Sequence, residues 1–133
     1  KVVVCILNNS SKKSPLFSYD ERVNMLREVV RDLDNVYVDQ CQGLLVDYVS
    51  DHDIDAIIRG IRGFMDTGDE IQMAQGNRVA LPEAETVFMA TDPKYSFISS
   101  SMVREFASYG RSVEGFVPDI VLSHIDEKLK VKE

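Results

Sequence analysis

The chain has 133 residues, 44% hydrophobic and 28% charged, with a formal net charge of −7. That is one domain's worth of chain with the composition of an ordinary soluble globular protein. The acidic balance speaks against duplex nucleic acid as a partner. The longest strongly apolar run, residues 2–7, is too short to span a bilayer. No secretory leader is expected, because that run has no small-residue cleavage pattern after it. The two cysteines, Cys5 and Cys41, lie far apart and form no CxxC pair, which suits reduced thiols and a cytoplasmic location.

Strand and helix signals alternate. The run VVVCIL at residues 2–7 predicts a parallel strand buried on both faces. A polar loop to Phe17 follows. Ser18 then opens a helix, with Glu21 completing a capping box. Val23, Leu26, Val30 and Leu33 recur at helical spacing and predict the face laid on a sheet. Residues 36–38 read as a second strand, 44–49 as a short helix and 54–58 as a third strand. A helix is expected over roughly 69–79, stopped before Pro82, and a fourth strand over 86–89. The remainder reads as a helix over 99–109 ended by Gly110, then another from Pro118 to Lys130. The expected class is α/β with a mostly parallel sheet, as one domain over residues 1–133.

In an open parallel sheet, ligands bind beyond the carboxyl ends of the strands. Three segments are expected at such ends: SSKKSPLF (10–17), IRGIRG (58–63) and YSFISSSMVRE (95–105). Each also has a plain structural meaning. Lys12 and Lys13 suit solvated loop charges, Arg59 and Arg62 suit surface ion pairs, and Ser99, Ser100 and Ser101 suit a helix N-cap. A helix start rich in hydroxyls and free N–H groups is equally a phosphate seat, and arginine and lysine are phosphate ligands. Three such features on one sheet edge favour a polyphosphate site. There is no Walker A loop, GxGxxG or nucleophile elbow. His52, between Asp51 and Asp53, suits a helix end better than a metal, and no metal ligand is assigned. His124 has no assigned role.

SSKKSPLF, IRGIR and YSFISSSMVRE, in this order and spacing, resemble the bacterial phosphopantetheine adenylyltransferases. The resemblance covers essentially the whole chain. It implies a Rossmann-like, doubly wound parallel sheet of order 3-2-1-4-5. It further implies adenylyl transfer from ATP to 4′-phosphopantetheine, giving dephospho-coenzyme A and pyrophosphate in coenzyme A synthesis. Mg²⁺ as cofactor, a homohexamer and inhibition by coenzyme A also belong to what it implies. By the same resemblance Lys12 serves the reacting phosphates, and Arg59 binds the pantetheine substrate. Gly60, Ile61, Arg62 and Glu70 contact ATP, and so do Tyr95, Ser96, Phe97, Ile98, Ser99, Ser100 and Ser101. Leu44, Leu45, Met73, Asn77 and Glu105 wall the pantetheine channel.

Three departures stand out. The family's first strand and its HxGH loop have no counterpart, so an upstream strand–helix unit is expected in the native polypeptide. Residues 65–70 read MDTGDE where the family usually has a sequence close to SDFEYE. Gly76 replaces a methionine common in the family, and is expected to widen the channel beside Leu45 and Met73. The competing readings are a nicotinamide mononucleotide adenylyltransferase, a cytidylyltransferase, a non-catalytic nucleotide-binding domain and a phosphoreceiver-type domain. The last lacks the acidic cluster it needs after the first strand.

Overall fold

Alternating elements follow one another in this computed structural model, whose described residues are 1–7 and 15–130, without the side chains of Met65 and Lys130. In chain order they are β1 (Val2–Leu7), α1 (Tyr19–Val29), β2 (Val36–Cys41), α2 (Leu45–Asp51) and β3 (Ala56–Ile61). Then come α3 (Phe64–Ala80), β4 (Glu85–Ala90), α4 (Pro93–Ser96), α5 (Ser100–Ser108) and α6 (Asp119–Lys130). The chain divides into two compact units, Lys1–Gln40 with Ile98–Glu133, and Cys41–Phe97. Among the described residues no helix is long and apolar enough to cross a membrane.

In the first unit β1 pairs with β2. The α1 helix begins where expected, because Ser18 and Glu21 satisfy each other's backbone N–H groups in a reciprocal box. The Tyr19 hydroxyl donates to the Ile6 carbonyl at 2.8 Å and ties α1 to β1. Val103, Val113 and Ile125 form a core with Leu16, Phe17 and Leu122 around it. Lys128 on α6 reaches Glu21 at 2.6 Å. Hydrogen bonds from Lys128 and then from the Ser18 backbone hold the Glu21 carboxyl below its ordinary range.

In the second unit β3 and β4 run parallel, with Arg59 opposite Phe88, Gly60 opposite Met89 and Ile61 opposite Ala90. Val49, Ile57 and Ala84 form its core, with Leu45, Ile54 and Leu81 packed on it.

Several expected boundaries shift. β2 continues to Cys41 and β3 to Ile61, so Arg59 and Gly60 lie inside a strand and only Arg62 and Gly63 follow it. Backbone pairing with β4 outweighs the weak strand preference of Arg and Gly. α3 starts at Phe64, five residues earlier than expected. Thr67 sits in its first turn and donates to the Gly63 carbonyl at 2.9 Å. The four-residue α4 was not anticipated; Asp92 caps it and Pro93 stands in its first turn. On α1, Met25 is buried while Leu33 is half exposed beyond the helix end. The strands are also more open than two-faced burial requires. Only Ile6 of β1 is buried, and Ile58, Val87 and Met89 are exposed. Each described sheet has two strands, so each strand pairs along one edge only among the described residues.

Candidate functional site

Parallel pairing places the carboxyl ends of β3 and β4 on the same side of their sheet. The Thr91 N–H donates to the Ile61 carbonyl at 2.9 Å, continuing the ladder past β4. A Cβ on Gly60 would stand 3.5 Å from the Thr91 hydroxyl, so the two chain segments approach closely there. Asp92 then caps α4 by accepting from the Lys94 N–H, and Tyr95, Ser96 and Phe97 follow on this edge. Gly60, Ile61, Arg62, Tyr95, Ser96 and Phe97 are thus gathered at one end of one sheet by strand register.

Arg59 makes a two-point contact with a carboxylate. Its Nε and Nη2 donate to Glu70 Oε2 and Oε1, both at 2.7 Å, a two-point clasp between β3 and α3. Glu70 holds the Arg59 guanidinium above its ordinary range, and the hydrogen bond from Arg59 holds the Glu70 carboxyl below its own. Both groups stay ionised at neutral pH. Arg62 donates from Nε to Asp66 at 2.9 Å. Of the residues expected to wall a pantetheine channel, Leu45 packs on the core while Leu44 and Met73 are exposed. Asn77 lies on the same helix as Met73, four residues on.

In the first unit, Ser99 is the N-cap of α5: its hydroxyl accepts from the Met102 N–H at 3.2 Å. Ser100 and Ser101 occupy the first turn, which carries no acidic side chain. The helix end therefore presents backbone N–H groups and hydroxyls without a built-in anion, an arrangement that suits an oxyanion. Glu105 is exposed further along the same helix. Lys12 and Lys13 lie outside the described residues. His52 caps α2, with Nδ1 3.0 Å from the Tyr48 carbonyl and its ring stacked on Tyr48. His124 meets Phe17 edge-on.

The ion pairs were the part sequence reasoning left open. Arg62 and Asp66 stand four apart, a spacing that flags a pair. Arg59 and Glu70 are eleven apart on different elements, and no local signal joins them.

The cytidylyltransferase-like family matches residues 1–106. A phosphopantetheine adenylyltransferase from Dictyoglomus turgidum is 48% identical over 132 residues, 99% of this chain and 82% of that protein. The protein of that name from Caldanaerobacter subterraneus subsp. tengcongensis is 45% identical over 98% of this chain and 81% of its own length. The one from Heliobacterium modesticaldum is 47% identical over 96% and 76%. An α/β fold with parallel strands, a polar sheet edge and identity at this level over nearly every residue lead to one assignment: the chain belongs to the cytidylyltransferase-like family and, within it, to the phosphopantetheine adenylyltransferases.

Proposed function

We propose that this protein transfers the adenylyl group of ATP to 4′-phosphopantetheine, releasing pyrophosphate and forming dephospho-coenzyme A. The observation that carries this is identity of 45–48% over 96–99% of the chain to phosphopantetheine adenylyltransferases. An oxygen of the acceptor phosphate attacks the α-phosphorus of ATP in line. The bond from that phosphorus to the bridging oxygen breaks, and pyrophosphate leaves with the electron pair. No covalent bond to the protein is needed, so the protein contributes position and charge stabilisation.

Arg59 binds the acceptor phosphate, and Lys12 stabilises charge on the reacting phosphates. The N–H groups and hydroxyls of Ser99, Ser100 and Ser101 take triphosphate oxygens at the start of α5. Gly60, Ile61, Arg62, Tyr95, Phe97 and Ile98 hold the nucleotide, with Ser96 and Glu70 beside them. Leu44, Leu45, Met73, Asn77 and Glu105 guide the pantetheine arm. Among the described residues no three His, Cys, Asp or Glu side chains come together, so these residues offer no cage for Mg²⁺. An ion that favours phosphate oxygens and water as ligands needs none, and would arrive with the nucleotide.

The active form is a homohexamer in the cytoplasm, inhibited by coenzyme A. Exposed apolar side chains support the assembly, above all Phe64 (94% exposed) and Val79 (85%) on α3, which sit poorly in water. Sedimentation of the native protein tests it; a monomer at micromolar concentration contradicts it. The activity is tested by coupled pyrophosphate release from the full-length protein, with CTP and nicotinamide mononucleotide as competing substrates. Turnover with ATP and 4′-phosphopantetheine is expected to fall sharply in Lys12→Ala. Preference for CTP, or wild-type turnover in that variant, contradicts the assignment.

A further inference from the structure

Arg59 has five N–H donors in a flat fork. Glu70 occupies one edge of it, taking Nε–H and one N–H of Nη2 at 2.7 Å each. The opposite edge, made of Nη1 and the second N–H of Nη2, has no partner among the described residues. The two side chains are 36% and 20% exposed, so the pair is sheltered but its outer edge can be reached. Glu70 is anchored about two turns into α3, whose backbone fixes it, and Arg59 is anchored in β3 beside β4. A long, flexible arginine is thereby held in one orientation by a group on a second rigid element.

We propose that Glu70 is a positioning residue: it clasps the side edge of Arg59 and so aims the end edge at the acceptor's phosphate monoester. This rests on the phosphopantetheine assignment above, and gives Glu70 a task distinct from touching ATP. The neighbouring charges are compatible with it. Arg62 is engaged by Asp66 at 2.9 Å, and its charge adds a smaller contribution to that of the Arg59 hydrogen bond, which holds the Glu70 carboxyl below its ordinary range. A bidentate phosphate contact depends on the plane of the guanidinium, whereas a simple charge contact does not. Loss of the clasp should therefore weaken phosphate-monoester binding although Arg59 keeps its charge.

The test uses the full-length protein and the variants Glu70→Ala, Arg59→Ala and the double variant. In Glu70→Ala the KM for 4′-phosphopantetheine is expected to rise about tenfold, several-fold more than the KM for ATP, which Glu70 also neighbours. In an Arg59→Ala background the same change should add less than about twofold, because nothing remains to be aimed. A rise in the KM for ATP alone, or independent effects of the two substitutions, overturns the proposal. Binding of inorganic phosphate, followed by ³¹P NMR titration, reads the clasp without turnover. It should weaken about tenfold in Glu70→Ala, and equal affinity in wild type and variant overturns the proposal. Absence of wild-type turnover with tight, Glu70-dependent phosphate binding would instead discard the substrate assignment and leave the clasp standing.

Discussion

Replacing Gly76 with alanine should stabilise the protein by about 1 kcal/mol, the cost of glycine inside a helix relative to alanine. Gly76 is the thirteenth residue of the seventeen in α3, well inside both ends. Its backbone is helical and does not use the left-handed region, unlike Gly43, Gly110 and Gly115. A Cβ there would meet nothing within 4 Å, so no clash offsets the gain. For a chain of this size the expected rise in Tm is about 3–6 °C. Gly110→Ala supplies the control. Gly110 follows the α5 cap at φ 69°, and alanine there should cost about 1–2 kcal/mol. Urea denaturation of both variants decides the matter. A destabilised Gly76→Ala would refute the claim that the position tolerates a side chain. Gly76→Met asks the separate question of channel width: weaker 4′-phosphopantetheine binding is expected, and unchanged affinity removes any role for the glycine there.

Ser99→Ala should lose about 1 kcal/mol of stability with the cap to Met102. Ser99→Asp should keep the cap yet raise the KM for ATP by tenfold or more, as a carboxylate would meet the triphosphate. An unchanged KM makes Ser99 a cap alone. The Thr86 hydroxyl is buried on β4 without a hydrogen-bond partner among the described residues, so Thr86→Val should gain about 1 kcal/mol in urea denaturation. A loss of stability would mean the hydroxyl is satisfied in solution. Glu70 has its pKa lowered in the fold, so it binds protons more readily when unfolded, and its stabilising effect is present above the unfolded value of about 4.3 and fades as pH falls below it. Glu70→Gln should flatten the decline in stability between about pH 5 and pH 3, and an unchanged slope would contradict the pairing.

What the sequence disclosed was local chemistry. Ser18 and Glu21 announce the start of α1 because a capping box is written in four residues, and Ser99 announces α5 as a simple serine N-cap. What it hid was decided by partners far along the chain. Arg59 and Gly60 look like loop residues until β4 pairs with them, and Glu70 becomes Arg59's partner only when α3 is laid beside β3. Leu33 is half exposed because the helix ends at Val29, which periodicity alone places too late. The polyphosphate reading of the three segments needed only residue types and order. The clasp between two of the implicated residues needed the structure.

The central claim is most directly tested by following the phosphorus atoms of ATP through one turnover of the full-length protein with 4′-phosphopantetheine. Label placed on the α-phosphate should appear in dephospho-coenzyme A, and label on the γ-phosphate should appear in pyrophosphate, with one of each product per ATP consumed. Transfer of the γ-label to the pantetheine substrate, or release of inorganic phosphate in place of pyrophosphate, would contradict it.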